Sequence, residues 1–173
     1  MVVGYGSIGA RHARILRDMG HAVTVVSSRK NADFPQFATI AEGLNTRPEY
    51  VVLASGTYQH GADLNALANA GYRGRVLVEK PLLGMPGIIP TGFSNFRIGF
   101  NLRFHPAVQA LRSRLQDRRV LSVQARVGQF LPDWRPGRDY RASTSSRLDQ
   151  GGGVIRDLSH EIDLIAWLFG SWT

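Results

Sequence analysis

Short apolar runs alternate with helix-spaced segments along roughly the first hundred residues of this chain. Met1-Val2-Val3 is an apolar run that passes at once into Gly4-Tyr5-Gly6-Ser7-Ile8-Gly9. Beyond the glycines, Ile8, Ala13, Leu16 and Met19 fall at roughly helical spacing. Ala22–Ser27 is short and β-branched, which predicts a second buried strand. A helix over Phe37–Leu44, a third strand within Glu49–Ser55 and a small-residue helix over Thr57–Ala70, stopped by Gly71, come next. A fourth strand starts at Arg75 and ends abruptly at Pro81. This alternation predicts βαβ units and a parallel sheet.

The pattern then changes. Residues 82–95 hold three Gly and two Pro, too many breakers for a helix, so they read as a loop crossover to a fifth strand at Phe96–Asn101. After His105-Pro106, Val108, Leu111 and Leu115 mark an amphipathic helix to about Asp117. Residues 119–131 alternate as a half-exposed strand of a different sheet would. A long loop rich in Arg, Asp and aromatic residues covers Pro132–Gln150, and a last helix spans about Gly153 to Phe169. On that helix Ile155, Leu158, Ile162, Ile165 and Phe169 form a stripe, with Asp157 and His160 nearly opposite.

Strand, glycine-rich turn and helix, in that order, are the parts of a dinucleotide-binding motif. Gly4 permits the tight turn, Gly6 lets the backbone approach a pyrophosphate, and Gly9 lets the helix pack on the strand. The N–H groups at Ser7 and Ile8 then face the anion at the helix N-terminus. About twenty residues on, where an NAD-preferring protein places a carboxylate for the ribose, this chain has Ser27-Ser28-Arg29-Lys30 and no carboxylate until Asp33. Hydroxyls followed by two cations suit a 2′-phosphate and favour NADP over NAD; an ordinary polar turn is the alternative. Gly4–Gly9, Ser27–Lys30, Ser55–His60 and Glu79–Pro81 all fall at predicted strand ends, where ligands gather in open parallel sheets. The expected fold class is therefore α/β: a Rossmann-type doubly wound parallel sheet over residues 1–102, followed by a C-terminal α+β domain over 103–173.

Composition narrows the choices. The chain has 173 residues, 43% of them hydrophobic and 20% charged, enough to bury a core. It has no Cys, hence no disulfide framework, zinc-thiolate site or thiol nucleophile, and no metal site is expected from its scattered His and Asp. No apolar run reaches membrane-spanning length, and a cytoplasmic protein is the default expectation. The net charge of +8 raises nucleic acid as a partner, but the cations are spread along the chain without a block or aromatic interleaving, which argues against it. Only two of the 21 basic residues are Lys, Lys30 and Lys80, so a Lys here marks a place where a compact, titratable ammonium differs from a guanidinium.

With Glu79-Lys80-Pro81 reached, the chain resembles the Gfo/Idh/MocA family of oxidoreductases (glucose-fructose oxidoreductase, inositol dehydrogenase and relatives) over nearly its whole length. The resemblance rests on Gly4–Gly9, on Ala54-Ser55-Gly56-Thr57-Tyr58-Gln59-His60, on Glu79-Lys80-Pro81, on Gly99–Pro106 and on Gly151–Asp163. It implies an NAD(P)-dependent enzyme acting on sugars, cyclitols or related polyols. It implies Lys80 as a catalytic or substrate-orienting amine, His160 as general acid/base and Asp157 assisting. Removing hydride from a secondary alcohol requires its O–H proton to be taken, a task for His near neutral pH, with a cationic Lys to stabilise the developing alkoxide. Gly56 replaces the family's usual Pro, Asp157 precedes His160 by three residues rather than four, and the chain is short at both ends. The resemblance thus implies that the C-terminal α+β domain is incomplete. That shortness motivates an alternative: a cofactor-binding fragment without turnover, or a subunit whose incomplete sheet is covered by a second copy or a partner chain.

Ser55 and Glu79 join the glycine turn and Ser28–Lys30 as candidate cofactor contacts. Glu79 either orients Lys80 or is only a strand-end carboxylate. Arg103, Trp134, Arg138 and Tyr140 are candidate substrate contacts, since Arg forks and aromatic edges suit polyhydroxylated or anionic ligands. A helix-end ion pair is the alternative for Arg103, and a covering loop for the others. His60 reads as a structural residue, and His12 and His21 as surface residues.

Overall fold

The computed structural model describes residues 1–30, 33–134, 137 and 139–170. The chain divides into two compact units, one of residues 1–99 with 149–151, the other of residues 100–148 with 152–173.

The first unit is a parallel sheet with, among the described residues, strands β1 (Val2–Val3), β2 (Val25–Val26), β3 (Gln36–Phe37), β4 (Tyr50–Leu53), β5 (Arg75–Val78) and β6 (Asn95–Ile98), in the order β3-β2-β1-β4-β5-β6. Chain order reverses between β1 and β4, and an open parallel sheet binds its ligands outside the carboxyl ends of the strands at such a point. Successive residues of the buried strands alternate between two cores. Val3, Val26, Val51 and Leu53 face one side, with Leu64 and Leu67; Val2, Val25, Val52 and Ala54 face the other, with Ala13. Helix α1 (Ser7–Asp18) thus covers one face, while α2 (Ile40–Leu44) and α3 (His60–Asn69) cover the other. Leu64 and Leu67 are fully buried, and burial of each stabilises the unit by roughly 1.5–3 kcal/mol.

Three expectations for this unit need correction. The strand expected at Phe96–Asn101 is Asn95–Ile98, and Asn101 opens a 3-10 turn. Phe37 is not helical: it pairs in β3, and the helix starts later because Thr39 accepts the Glu42 N–H while the Glu42 carboxylate returns to the N–H groups of Ala38 and Thr39. The inward stripe of α1 is Gly9 and Ala13, both buried, with half-buried Leu16, whereas Ile8 and Met19 are 39% and 66% exposed. Gly71, with φ +77°, ends the α3 segment as expected.

The second unit carries α4 (Pro106–Leu115), α5 (Leu131–Trp134), α6 (Val154–Asp157) and α7 (Ser159–Phe169), with 3-10 turns between. Residues 119–130 form no strand: alternation supplies a candidate face, but a strand exists only by pairing, and no described segment pairs with it. Leu121 and Phe130 are 84% and 69% exposed there. The single final helix is also corrected. It breaks at Leu158 (φ −100°, ψ 32°), so Asp157 closes α6 and His160 stands in the first turn of α7, not on one continuous helical face.

Candidate functional site

The glycine turn is built by close backbone approach. Gly4 has φ +89°, and a Cβ there would lie 2.5 Å from the Ser55 nitrogen and 2.6 Å from the Ala54 carbonyl oxygen. A Cβ on Gly9 would lie 2.0 Å from the Gly4 oxygen, so only glycine lets α1 pack directly on the turn. Gly6 differs: its nearest neighbour would be Arg29 Nη1 at 3.9 Å, leaving open space bordered by a guanidinium. Gly6 is also the N-cap of α1 and offers no side chain to the first N–H groups of the helix, at Ser7, Ile8 and Gly9. Open space, free-facing N–H donors and an adjacent cation fit a dinucleotide pyrophosphate.

Ser28, Arg29 and Lys30 are exposed at the carboxyl end of β2. Their turn is held by Gln36, whose amide donates to the Ser27 and Arg29 carbonyls at 2.6 and 3.0 Å. The first carboxylate after this turn, Asp33, meets the glycine turn through Tyr5. Asp33 Oδ2 accepts from Tyr5 Oη at 3.3 Å, and burial together with Asp33 pushes the Tyr5 hydroxyl pKa up.

Beyond β4, the Ser55 hydroxyl donates to Asp63 Oδ2 at 2.5 Å. Burial raises the Asp63 pKa, against the opposing effects of Ser55 and His60. His60, only 1% exposed, is the structural residue expected of it. Its Nδ1 lies 3.1 and 3.2 Å from the Pro81 and Leu82 carbonyl oxygens, and its Nε2 lies 3.2 Å from that of Ser55. The ring thereby ties the turn after β4 to the loop that follows Lys80.

Glu79 and Lys80 follow β5. Glu79 donates its N–H to Leu53 O at 2.9 Å, and its Oε2 accepts the Lys80 N–H at 3.3 Å. Its Oε1 lies 2.6 Å from His12 Nε2. His12 is therefore not the surface residue expected; its ring is 23% exposed and engaged across the site. A signal was present in the sequence. His12 is three residues after Gly9 and four before Leu16, which places it beside the inward stripe of α1.

In the second unit, Phe100 packs edge-on to His160, with ring centroids 5.9 Å apart. Arg103 donates from Nε to Asp163 Oδ2 at 2.8 Å and from Nη2 to Oδ1, and its guanidinium also lies over the Phe100 and Trp167 rings. The candidate substrate contact Arg103 thus has its fork engaged by a carboxylate. Trp134 ends α5, and Tyr140 opens a 3-10 turn with the Arg141 guanidinium 4.9 Å from its ring centre. Arg138 lies outside the described residues. Lys80 belongs to the first unit, Asp157 and His160 to the second. Among the described residues no cluster of His, Asp and Glu could hold a metal ion, and no helix is long and apolar enough to cross a membrane.

No protein-family model and no curated protein matches the chain. Solved structures do. The WlbA (WbpB) dehydrogenase from Thermus thermophilus, in complex with NAD and alpha-ketoglutarate, aligns over 98% of this chain and 62% of its own at 22% identity and a TM-score of 0.70. The WlbA dehydrogenase from Bordetella pertussis, in complex with NADH and UDP-GlcNAcA, aligns over 98% of this chain and 54% of its own at 16% identity and 0.70. GenD2 from gentamicin A biosynthesis, in complex with NAD, aligns over 98% and 52% at 20% identity and 0.69. At such identities the likeness is one of fold, and it agrees with the Rossmann architecture described above. The chain spans between about half and 62% of the length of these structures.

Proposed function

We propose that this chain belongs to an NAD(P)-dependent oxidoreductase that moves hydride to or from a sugar, cyclitol or sugar-nucleotide-like polyol. The observation that carries the reading is the open space over Gly6, bordered by Arg29 and by the N-terminus of α1 at the carboxyl end of β1, beside the point where strand order reverses. Dehydrogenases of the same fold with bound NAD or NADH support it, and those holding UDP-GlcNAcA point to glycosyl substrates. When bound, the dinucleotide supplies the hydride acceptor or donor.

The residues of this chain supply the rest. Gly4, Gly6 and Gly9 shape the cradle, and the N–H groups of Ser7, Ile8 and Gly9 with Arg29 hold its anion. Ser55 and Glu79 flank the cradle across β4 and β5. The family resemblance assigns Lys80 to holding the reacting oxygen as it becomes anionic, and His160 to moving the hydroxyl proton with Asp157 assisting. Trp134 and Tyr140 are the substrate contacts in this reading. The exposed apolar residues of 119–130 fit a surface covered by a second copy or a partner chain.

NADP is the finer reading, because Ser28, Arg29 and Lys30 stand exposed at the end of β2 with a guanidinium turned toward the glycine turn. NAD is favoured instead by Asp33, which Tyr5 holds near that turn as an acceptor suited to ribose hydroxyls. Fluorescence titration with NADPH and NADH separates the two. Tighter NADPH binding that falls about tenfold or more in Arg29→Ala, with NADH little changed, supports NADP. Tighter NADH binding that weakens in Asp33→Asn supports NAD. Binding of neither would refute the dinucleotide reading.

A further inference from the structure

The link between His12 and Glu79 crosses the sheet. His12 stands in the second turn of α1, whose N-terminus faces the glycine turn, and Glu79 follows β5. In the sheet β1 and β5 are not neighbours, because β4 lies between them, so backbone pairing does not join these two strand ends directly. The 2.6 Å separation of His12 Nε2 and Glu79 Oε1 does join them. The second carboxylate oxygen accepts the Lys80 N–H at 3.3 Å, which fixes the backbone at the lysine itself. A third wall comes from Gly99, just after β6, where a Cβ would stand 3.2 Å from the carboxyl carbon and from both oxygens. The Glu79 side chain is 16% exposed, so water competes poorly for it.

Resting on the dinucleotide reading above, we propose that His12 is a positioning residue. By holding the Glu79 carboxylate, it locks the backbone at Lys80 to the helix that carries the phosphate cradle. The two ends of the site are then set before a dinucleotide arrives, and binding does not have to order them. Preorganisation of this kind raises affinity without adding a contact to the ligand. The requirement is for a polar nitrogen at this position, not for ring volume.

Four variants test the brace: His12→Phe, which keeps the ring volume but removes the nitrogen, His12→Gln, which restores a polar donor, Glu79→Gln, and the His12→Phe/Glu79→Gln double variant. Each is checked for folding by circular dichroism and titrated with NADH and NADPH. His12→Phe is expected to lose about tenfold in affinity for the preferred nucleotide, and His12→Gln to stay within about threefold of wild type. The double variant should bind no more weakly than the weaker single variant.

A second readout needs no nucleotide. The chain has only two lysines, so the acetylation rate of Lys80 relative to Lys30 can be followed by peptide mass spectrometry in the ligand-free protein. That ratio should change in His12→Phe and return in His12→Gln. Wild-type affinity with an unchanged ratio in His12→Phe overturns the brace, as do losses that simply add in the double variant. If wild type binds neither nucleotide, the dinucleotide reading fails on its own account, and the lysine ratio still decides whether His12 positions Lys80.

Discussion

Gly6 and Gly9 lie three residues apart in the same turn, and the structure gives them opposite reasons for being glycine. An alanine Cβ at position 9 would sit 2.0 Å from the Gly4 oxygen and 2.9 Å from its carbonyl carbon, where ordinary contact begins near 3.4 Å. The obstacle is backbone, so α1 must withdraw by more than about 1 Å, and overpacking of this kind costs about 1–3 kcal/mol. At position 6 the nearest atom to an added Cβ is 3.9 Å away, and φ is −77°, which alanine adopts freely. Losing glycine at the N-cap costs up to about 1 kcal/mol, offset by about 0.4–1 kcal/mol from the stiffer unfolded chain. Gly6→Ala should therefore change stability by less than about 0.5 kcal/mol. Its methyl would nevertheless occupy the space assigned to phosphate and disrupt at least one charge-assisted hydrogen bond, a loss of roughly 10- to 100-fold in nucleotide affinity. Urea denaturation followed by circular dichroism reads the stability, since all three tryptophans lie beyond residue 99 and would not report on the first unit. Nucleotide fluorescence reads the affinity. A Gly9→Ala protein as stable as wild type would refute the close-packing argument, and unchanged affinity in Gly6→Ala would refute the phosphate assignment.

Lys80→Ala should lower kcat on any turned-over polyol by at least about 100-fold, and an unchanged kcat would remove Lys80 from the chemistry. Burial raises the Asp63 pKa, so the folded protein holds that proton more tightly than the unfolded chain does; ionised Asp63 destabilises the fold above its raised pKa, and this penalty vanishes as pH falls below the unfolded value. Asp63→Asn should accordingly be more stable than wild type at neutral pH, by a margin that shrinks on acidification; urea midpoints showing a constant margin would contradict this. In the second unit, Asp163 is 9% exposed and Arg103 37%, so losing either partner should cost about 1–2 kcal/mol once screening at the Arg is allowed for. Arg103→Ala and Asp163→Ala should then destabilise alike, and the double variant little further, whereas an Arg103→Ala protein of full stability and lost turnover would return Arg103 to the substrate.

The order of strands and helices in the first unit was legible because each element there carries its own local signal. β-branched runs such as Val51-Val52 need burial on both faces, Gly71 stops a helix by its backbone freedom, and Gly4, Gly6 and Gly9 stand where a strand becomes a helix. Those local signals predicted a doubly wound parallel sheet, and its switch point lies between β1 and β4. The glycine turn, Ser28–Lys30, Ser55 and Glu79-Lys80 were placed at strand ends by the same logic. Their partners were not legible, because a partner is chosen by distance in space. Nothing local pairs His12 with Glu79, 67 residues away, or Arg103 with Asp163, 60 residues away. Asp33 falls after the position where a carboxylate for the ribose is expected, yet it accepts a hydrogen bond from Tyr5 in the glycine turn. Residues 119–131 mislead in the opposite sense, since alternation describes a side-chain pattern while a strand requires hydrogen bonds to a neighbour. Short-range order here follows from side-chain shape and backbone freedom, which residue identity determines. The pairings within the candidate site depend on which distant groups the fold brings within reach, and only the tertiary structure decided those.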